Sequence, residues 1–371
     1  MRAQPFADLG VSKDVVRALR AGGVDTPFPV QAQVVPDVLA GRDVLVQSPT
    51  GSGKTLAFAV PIVDRIERDD PRPAALVLAP TRELASQIVA ETQPLAAARG
   101  LRVAAVYGGT GFKAQIAAVR RAQVVVATPG RLEDLIARGD IRLDRVRILV
   151  LDEADRMLDM GFRPAVARIV AQTPARRQTL FFSATLGGAT GRLAREYTRD
   201  AVRHEHEPPR RDRGRVDHRF VGVHRERRVE VLIDQLGEDR GRTLVFVRTK
   251  RGADRLVKRL KGRGLGAVAM HGDKTQGQRE RALRNFHSGS ATTLVATDVA
   301  ARGIDVDDVT HVINFDAPPD RDTYVHRIGR TARAGRSGIG ITFVAEDQVD
   351  DVGRIAADLR LGREFERRAA A

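Results

Sequence analysis

Short apolar runs alternate with amphipathic stretches along almost the whole chain. In the first half the runs are DVLVQ from Asp43, ALVLAP from Ala75, VVVATP from Val124, ILVLDE from Ile148 and TLFFSAT from Thr179. They are nearly continuously apolar and rich in β-branched residues, the pattern of a strand whose two side-chain rows are both covered. Between them lie stretches such as ELASQIVAETQPLAAA, from Glu83 to Ala98, with apolar residues at helical spacing. Strand and helix in strict alternation predict an α/β fold built on parallel sheet.

The second half repeats the style with TLVFVRT from Thr243, GAVAMHG from Gly266, TTLVATDV from Thr292, HVINFD from His311 and GITFVA from Gly340. The halves share an architecture without repeating a sequence. Between them HEHEPPRRDRGR, from His204 to Arg215, has two prolines and no apolar residue, which is linker composition. The predicted organisation is a domain over 1–207, a linker over 208–215 and a domain over 216–371. A length of 371 residues fits two cores better than one.

Charge narrows the class of partner. Sixty-two basic residues against 47 acidic ones give +15. Cut after Glu207, the halves carry +6 and +9, so neither is a mere basic tail. The excess points to a polyanion without choosing among RNA, DNA and an acidic membrane. Of the 62, 55 are arginine, a bias that genome composition explains in part. Some of these arginines are therefore expected to be solvated surface. The absence of cysteine removes disulfides, thiolate zinc sites and cysteine nucleophiles. No apolar run approaches the ~18 residues of a membrane span. The opening MRAQPFADLG has no apolar signal core, so the expected location is cytoplasmic, with no membrane partner. Aromatic residues at 4% argue against a base-stacking platform.

Two strings carry nucleotide chemistry. SPTGSGKT, Ser48–Thr55, follows a strand and precedes the helical pattern LAFAVPIVDRI, as a phosphate cradle does. Gly51 and Gly53 free the backbone to curl round an oxyanion, Lys54 faces the β and γ phosphates, and the Thr55 hydroxyl suits Mg²⁺. The usual first glycine of the pattern is replaced by Ser48. ILVLDEAD places Asp152, Glu153 and Asp155 at the C-terminal end of a buried strand, the edge where open α/β sheets bind ligands. Asp152 suits Mg²⁺ held through water, and Glu153 suits orienting or deprotonating an attacking water.

From Phe6 to about Arg336 the chain resembles the DEAD-box ATP-dependent RNA helicases of superfamily 2, in their bacterial minimal-core form. Residues 152–155 spell the name motif, and others follow in family order. PTRELA stands at Pro80–Ala85, Gly108-Gly109 follows, TPGR is at Thr128–Arg131 and SAT at Ser183–Thr185. The second half has VFVRT at Val245–Thr249, HGDKTQGQR at His271–Arg279, TDVAARGID at Thr297–Asp305 and HRIGRTARAG at His326–Gly335. The resemblance implies two tandem RecA-like domains, each a mostly parallel sheet flanked by helices, with ATP and RNA bound across an interdomain cleft.

It also implies residue roles. Catalysis falls to Lys54, Asp152, Glu153, Arg330 and Arg333. Nucleotide binding falls to Gln31, Ser48, Thr50, Gly51, Ser52, Gly53, Lys54, Thr55 and Asp305, with Mg²⁺ at Thr55 and Asp152. Gln31 would read adenine, since a carboxamide donates and accepts at once. Phe6, 17 residues before Gly23, sits at the family spacing of an isolated upstream aromatic. RNA contacts are implied at Pro80, Thr81, Arg82, Gly109, Thr128 and Arg131, then at Thr249, Gln276, Arg279, Thr297, Arg302 and Gly303. Small, hydroxyl and basic groups suit the sugar–phosphate backbone rather than base sequence. Asp155, Ser183, Thr185 and His326 would couple the two ligands, with the hydroxyls bonding Asp155 and His326. Arg327, Arg330 and Arg333 at i, i+3 and i+6 are expected on one helix face.

Three positions depart from the family pattern. Val24 stands where an aromatic is usual, Ser48 where Ala is common, and Ala332 where many members have Gly, which should stiffen that helical turn. About thirty-five residues follow Arg336, without a long basic tail of the kind that often sets specificity. The expected activity is an RNA-dependent ATPase that separates short RNA duplexes or remodels ribonucleoprotein. The alternatives are an ATP-gated RNA clamp with little unwinding and a DNA translocase. The DEAD string, Gln31 and HRIGRTAR disfavour the translocase.

Overall fold

The structure, a computed structural model, describes residues 5–49, 52–206, 214–237, 241–301, 309–332, 336–367 and 369–370. The chain divides into two compact units, Met1–Glu207 and Pro208–Ala371. Thr50, Gly51, Arg302, Gly303, Asp305 and Arg333 lie outside the described residues, as do residues 208–213 of the expected linker.

In the first unit the strands are β1 (Val44–Gln47), β2 (Ala75–Leu78), β3 (Val103–Val106), β4 (Val124–Ala127), β5 (Ile148–Leu151), β6 (Gln178–Ser183) and β7 (Val202–Glu205). They form one sheet in the order β3-β4-β2-β5-β6-β1-β7. Every pairing in it is parallel. The continuous apolar runs are explained by the two faces. In β5, Ile148 and Val150 enter one core cluster, while Leu149 and Leu151 enter the other. Each such side chain contributes about 1.5–3 kcal/mol on burial.

The second unit has β8 (Val216–Gly222), β9 (Arg242–Phe246), β10 (Ala267–Met270), β11 (Thr293–Ala296), β12 (Val309–Asn314), β13 (Gly338–Val344) and the short β14 (Ala369–Ala370). Their order is β10-β11-β9-β12-β13-β8-β14, again parallel throughout. Leu244 and Phe246 of β9 face one cluster and Val245 the other.

Three longer strands, β3, β7 and β8, escape the apolar-run pattern, and His204–Glu205 belong to β7 rather than to a linker. β7 reads VRHE and β8 reads VDHRFVG, with burial alternating along much of each. β3 is small and alternates as well. β3 and β7 are the edges of their sheet and β8 has only the two-residue β14 beyond it. An edge strand meets core on one face only and can carry charge on the other. His204 Nε2 lies 2.8 Å from Asp37 Oδ2, which ties β7 to the helix Pro29–Leu39.

Candidate active site

Parallel strands deliver every following loop to the same edge of the sheet, so linear motifs become neighbours. β1 runs into the phosphate loop and then into the helix Lys54–Arg65. β5 runs into Asp152 and Glu153, and β6, which lies between β1 and β5, ends at Ser183. The Ser48 amide donates to the Ser183 carbonyl at 3.0 Å, stitching the loop to that strand end.

The loop folds around its lysine. Lys54 is buried, and its Nζ donates to the Ser48 carbonyl at 2.8 Å and the Pro49 carbonyl at 3.1 Å. Ser48 Oγ donates to Ser52 Oγ at 2.6 Å, which donates to the Pro49 carbonyl at 2.9 Å. Ser48 is therefore more than a small filler, because its hydroxyl closes the loop. Gly53 has φ +85, and a Cβ there would lie 2.5 Å from Phe28 Cδ2 and 2.7 Å from Gln31 Nε2. Only glycine meets both demands.

Gln31 is 1% exposed and bonded at this corner through both ends of its carboxamide. Its Oε1 accepts from the Phe28 amide at 2.8 Å and its Nε2 donates to the Gly53 carbonyl at 2.9 Å. The side chain thus joins the helix Pro29–Leu39 to the phosphate loop. Phe28 beside it is 58% exposed, one of two exposed large apolar residues among those described. Sequence reasoning missed it by looking for an aromatic only at Val24, which packs against the core. The available signal was an aromatic three residues before Gln31. Phe6 is buried in the same core.

Asp152 and Glu153 are both buried. Burial pushes the Asp152 carboxyl up to about 7; the Lys54 ammonium opposes the shift, and Glu153 adds to it. Glu153 adopts φ 50 and ψ 50, the left-handed region that non-glycine residues avoid. Its amide donates to Asp152 Oδ1 at 3.0 Å, and its Oε2 accepts from Arg156 Nη1 at 2.6 Å. Thr55 is the second residue of the adjoining helix and is partly exposed. Among the described residues no group of three His, Cys, Asp or Glu could hold a metal. Asp152 and Thr55 offer one carboxylate and one hydroxyl, oxygen donors of the kind a hard cation takes.

Asp155 reaches the end of β6. Its Oδ2 accepts from the amides of Ala184 at 3.1 Å and Thr185 at 3.2 Å. Ser183 Oγ accepts from the Thr185 amide at 3.3 Å. In this unit the link therefore runs through main-chain amides and not through the hydroxyl pair. The geometry is that of a carboxylate in a turn, which needs bare N–H groups.

The loops after β2, β3 and β4 form a second cluster on the same edge. Thr81 caps the helix Arg82–Ala98, its Oγ1 accepting from the Leu84 amide at 3.2 Å. The Arg82 guanidinium lies so close to Gly109 that a Cβ there would meet it at 2.2 Å. Arg131 donates to the Thr110 carbonyl at 2.9 Å and lies 4.1 Å from the Phe112 ring centroid. Thr128 precedes the helix Pro129–Ala137, and Pro80 and Thr128 are buried.

The second unit arranges its strand ends similarly. Thr249 after β9 caps the helix Lys250–Gly262, Oγ1 accepting from the Gly252 amide at 3.0 Å. Gln276 and Arg279 are buried on the helix Gln276–His287 after β10, and Thr297 follows β11.

Arg327 and Arg330 of HRIGRTAR do not share a helix face. The helix Arg321–Ile328 ends at Gly329, so the spacing argument fails beyond Arg327. Arg327 turns inward and Arg330 lies past the cap, buried, with Nε 3.3 Å from the His326 carbonyl. His326 itself is half-buried in the last helical turn. Ala332 lies outside any helix at φ 56, so it strains a turn where glycine would not.

Comparison with known proteins agrees with this geometry. The sequence model of the DEAD/DEAH box helicase family matches residues 28–192, and that of the helicase conserved C-terminal domain matches residues 227–335. The chain is 41% identical over 347 residues to an ATP-dependent RNA helicase CshA of Limosilactobacillus reuteri, covering 93% of this chain and 70% of that one. It is 41% identical to the DEAD-box ATP-dependent RNA helicase CshA of Geobacillus kaustophilus, covering 94% and 75% of the two chains. The structure of S. cerevisiae Dbp5 bound to RNA and ADP BeF3 matches with a TM-score of 0.85 and 30% identity, over 100% of this chain and 96% of that one. Family models, close relatives and the placement of the motif residues on one sheet edge agree: the chain belongs to the DEAD-box family of RNA helicases.

Proposed function

We propose that this protein is an RNA-dependent ATPase that locally separates short RNA duplexes or remodels ribonucleoprotein. The observation that carries the reading is the shared edge of the first sheet. There Lys54, Asp152 and Glu153 stand at the ends of β1 and β5, and Arg82, Gly109 and Arg131 stand at the ends of β2, β3 and β4. A nucleotide and an RNA backbone would be held by neighbouring loops of one rigid sheet.

In this reading residues 1–207 hold the nucleotide and residues 216–371 complete the RNA grip. Lys54 and the loop amides bind the β and γ phosphates. Thr55 and Asp152 would hold Mg²⁺, whose bound charge would offset that of the phosphates. Glu153 takes the proton from the attacking water, and Arg330 and Arg333 stabilise the charge that develops on the transferred phosphoryl group. Asp155 senses the position of the SAT segment through two amides. ATP and RNA each favour a closed arrangement of the two units, so each raises the affinity for the other. RNA bent by that closure no longer fits a duplex. A chain without cysteine is consistent with a reducing compartment. Among the described residues no helix is long and apolar enough to cross a membrane.

A strand-displacement assay tests the reading. ATP-dependent release of the shorter strand from a short RNA duplex is expected. Tight ATP-dependent binding beside an intact duplex would instead identify a clamp.

Phe28 gives a narrower prediction. Its exposed ring adjoins Gln31, so it offers the adenine an aromatic face that Val24 does not. Phe28→Ala should raise KM for ATP about threefold to tenfold, the equivalent of ~1 kcal/mol of stacking, with a smaller effect on kcat. An unchanged KM would remove Phe28 from the nucleotide site.

A further inference from the structure

Opposite the motif edge, the N-terminal ends of the strands carry arginines that no motif uses. Arg65, Arg147, Arg176, Arg177 and Arg199 line a cavity of about 320 Å³ at the starts of β5, β6 and β1, and no carboxylate lines it. A second cavity of about 410 Å³, at the starts of β3 and β4 and ahead of β2, is lined by Arg68, Arg72, Arg102 and Arg121 with Asp69 its single acid. Arg147 pairs with Asp70 in the loop before β2, so the two basins adjoin. Seven strands make this edge roughly 30 Å long.

These guanidiniums are crowded and poorly neutralised. Arg65 Nη1 spends its bonds on neutral acceptors, the Val38 carbonyl at 2.6 Å and Gln178 Oε1 at 2.8 Å. Arg177 Nη1 bonds the Pro174 carbonyl at 2.9 Å, while its Nε is buried with no hydrogen-bond partner. Burial holds both groups below the ordinary arginine range; Arg147 adds to the effect at Arg65, and Arg199 adds to it at Arg177 against the pull of Asp43. Like charges gathered in this way are relieved by a shared anion.

We propose that this edge is a second RNA-backbone surface, gripping phosphates of a long or folded RNA beyond the segment held at the motif edge. The proposal rests on the RNA reading above. Spaced planar forks suit a chain of phosphates. A protein partner would want an apolar or aromatic centre, and the exposed large apolar residues among those described, Phe28 and Val325, lie elsewhere. The length of the edge exceeds what one small phosphate ligand could cover.

The test compares wild type with the exposed triple variant Arg72→Gln/Arg176→Gln/Arg199→Gln. Binding is measured over a salt series with a short single-stranded oligonucleotide and with a long folded RNA. ATPase is measured with the short oligonucleotide. Short-RNA affinity and ATPase should be unchanged, which also reports that the variant folds. Long-RNA affinity should fall about tenfold, and the slope against log salt should flatten by roughly 2 for three lost phosphate contacts. Equal long-RNA affinity and slope would overturn the proposal, as would an equal loss on both RNAs. A variant that loses poly-glutamate binding while keeping long-RNA binding would also overturn it, and would give the edge to an acidic protein. Wild-type ATPase indifferent to the short oligonucleotide would defeat the underlying RNA reading, and the affinity contrast would remain separately readable.

Discussion

Glu153→Gln should slow RNA-stimulated ATP turnover by about 10²–10⁴-fold while leaving ATP-dependent RNA binding in place. The substitution is nearly isosteric, and the amide oxygen can still accept from Arg156. What it removes is the basicity of a carboxylate held at a left-handed backbone position at the end of β5. The buried Arg156 fixes that carboxylate, since each side chain of the pair is only 6% exposed. Single-turnover hydrolysis and RNA binding, measured on the same preparation, separate the two effects. A loss of less than tenfold would remove Glu153 from proton transfer. Loss of RNA binding as well would make its role structural.

The second large effect concerns stability. Arg327→Met should destabilise the second unit by about 3–5 kcal/mol, a large part of a typical domain's 5–15 kcal/mol. Arg327 Nε and Nη2 grip Asp298 at 2.6 and 2.8 Å. Its Nη1 donates to the Asp316 carbonyl at 2.7 Å and to Asn314 Oδ1 at 3.2 Å, and its guanidinium lies 5.0 Å from the Phe246 ring centroid. Removing one side chain would strand a carboxylate, a fully buried amide and a carbonyl together. Urea unfolding of the second unit measures the cost. A shift below ~1 kcal/mol would show that these groups find other partners.

That contrast shows where the sequence was legible. The phosphate loop, the DEAD string and the loops after β2, β3 and β4 could be read because each is contiguous, and parallel strands bring contiguous loops to one edge. The buried strands could be read because both faces of β5 and β9 are apolar. Arg327 and Arg330 could not be told apart, since their separation depends on where the helix stops at Gly329. β7 and β8 were hidden because a strand exposed on one face may alternate charged and apolar residues as a loop can. The arginine edge was hidden for another reason: Arg65 ends a helix, Arg147, Arg176 and Arg199 come from separate loops, and they meet only in the folded sheet. Phe28 was hidden by attention to a different position.

Composition first pointed to a polyanion in general. In the first unit the fold places part of that charge at the motif edge, where nucleotide and RNA roles are expected, and part at an opposite edge of surplus arginine. Both edges belong to the first sheet, whose motif side sets the nucleotide loops beside the expected RNA loops, the arrangement the proposed coupling needs.

The most direct test of that coupling is the steady-state ATPase rate of the wild-type protein, titrated with single-stranded RNA and, separately, with DNA of the same sequence. Saturable stimulation by RNA, with little or none by DNA, is the predicted result. Equal rates with and without RNA would contradict the account.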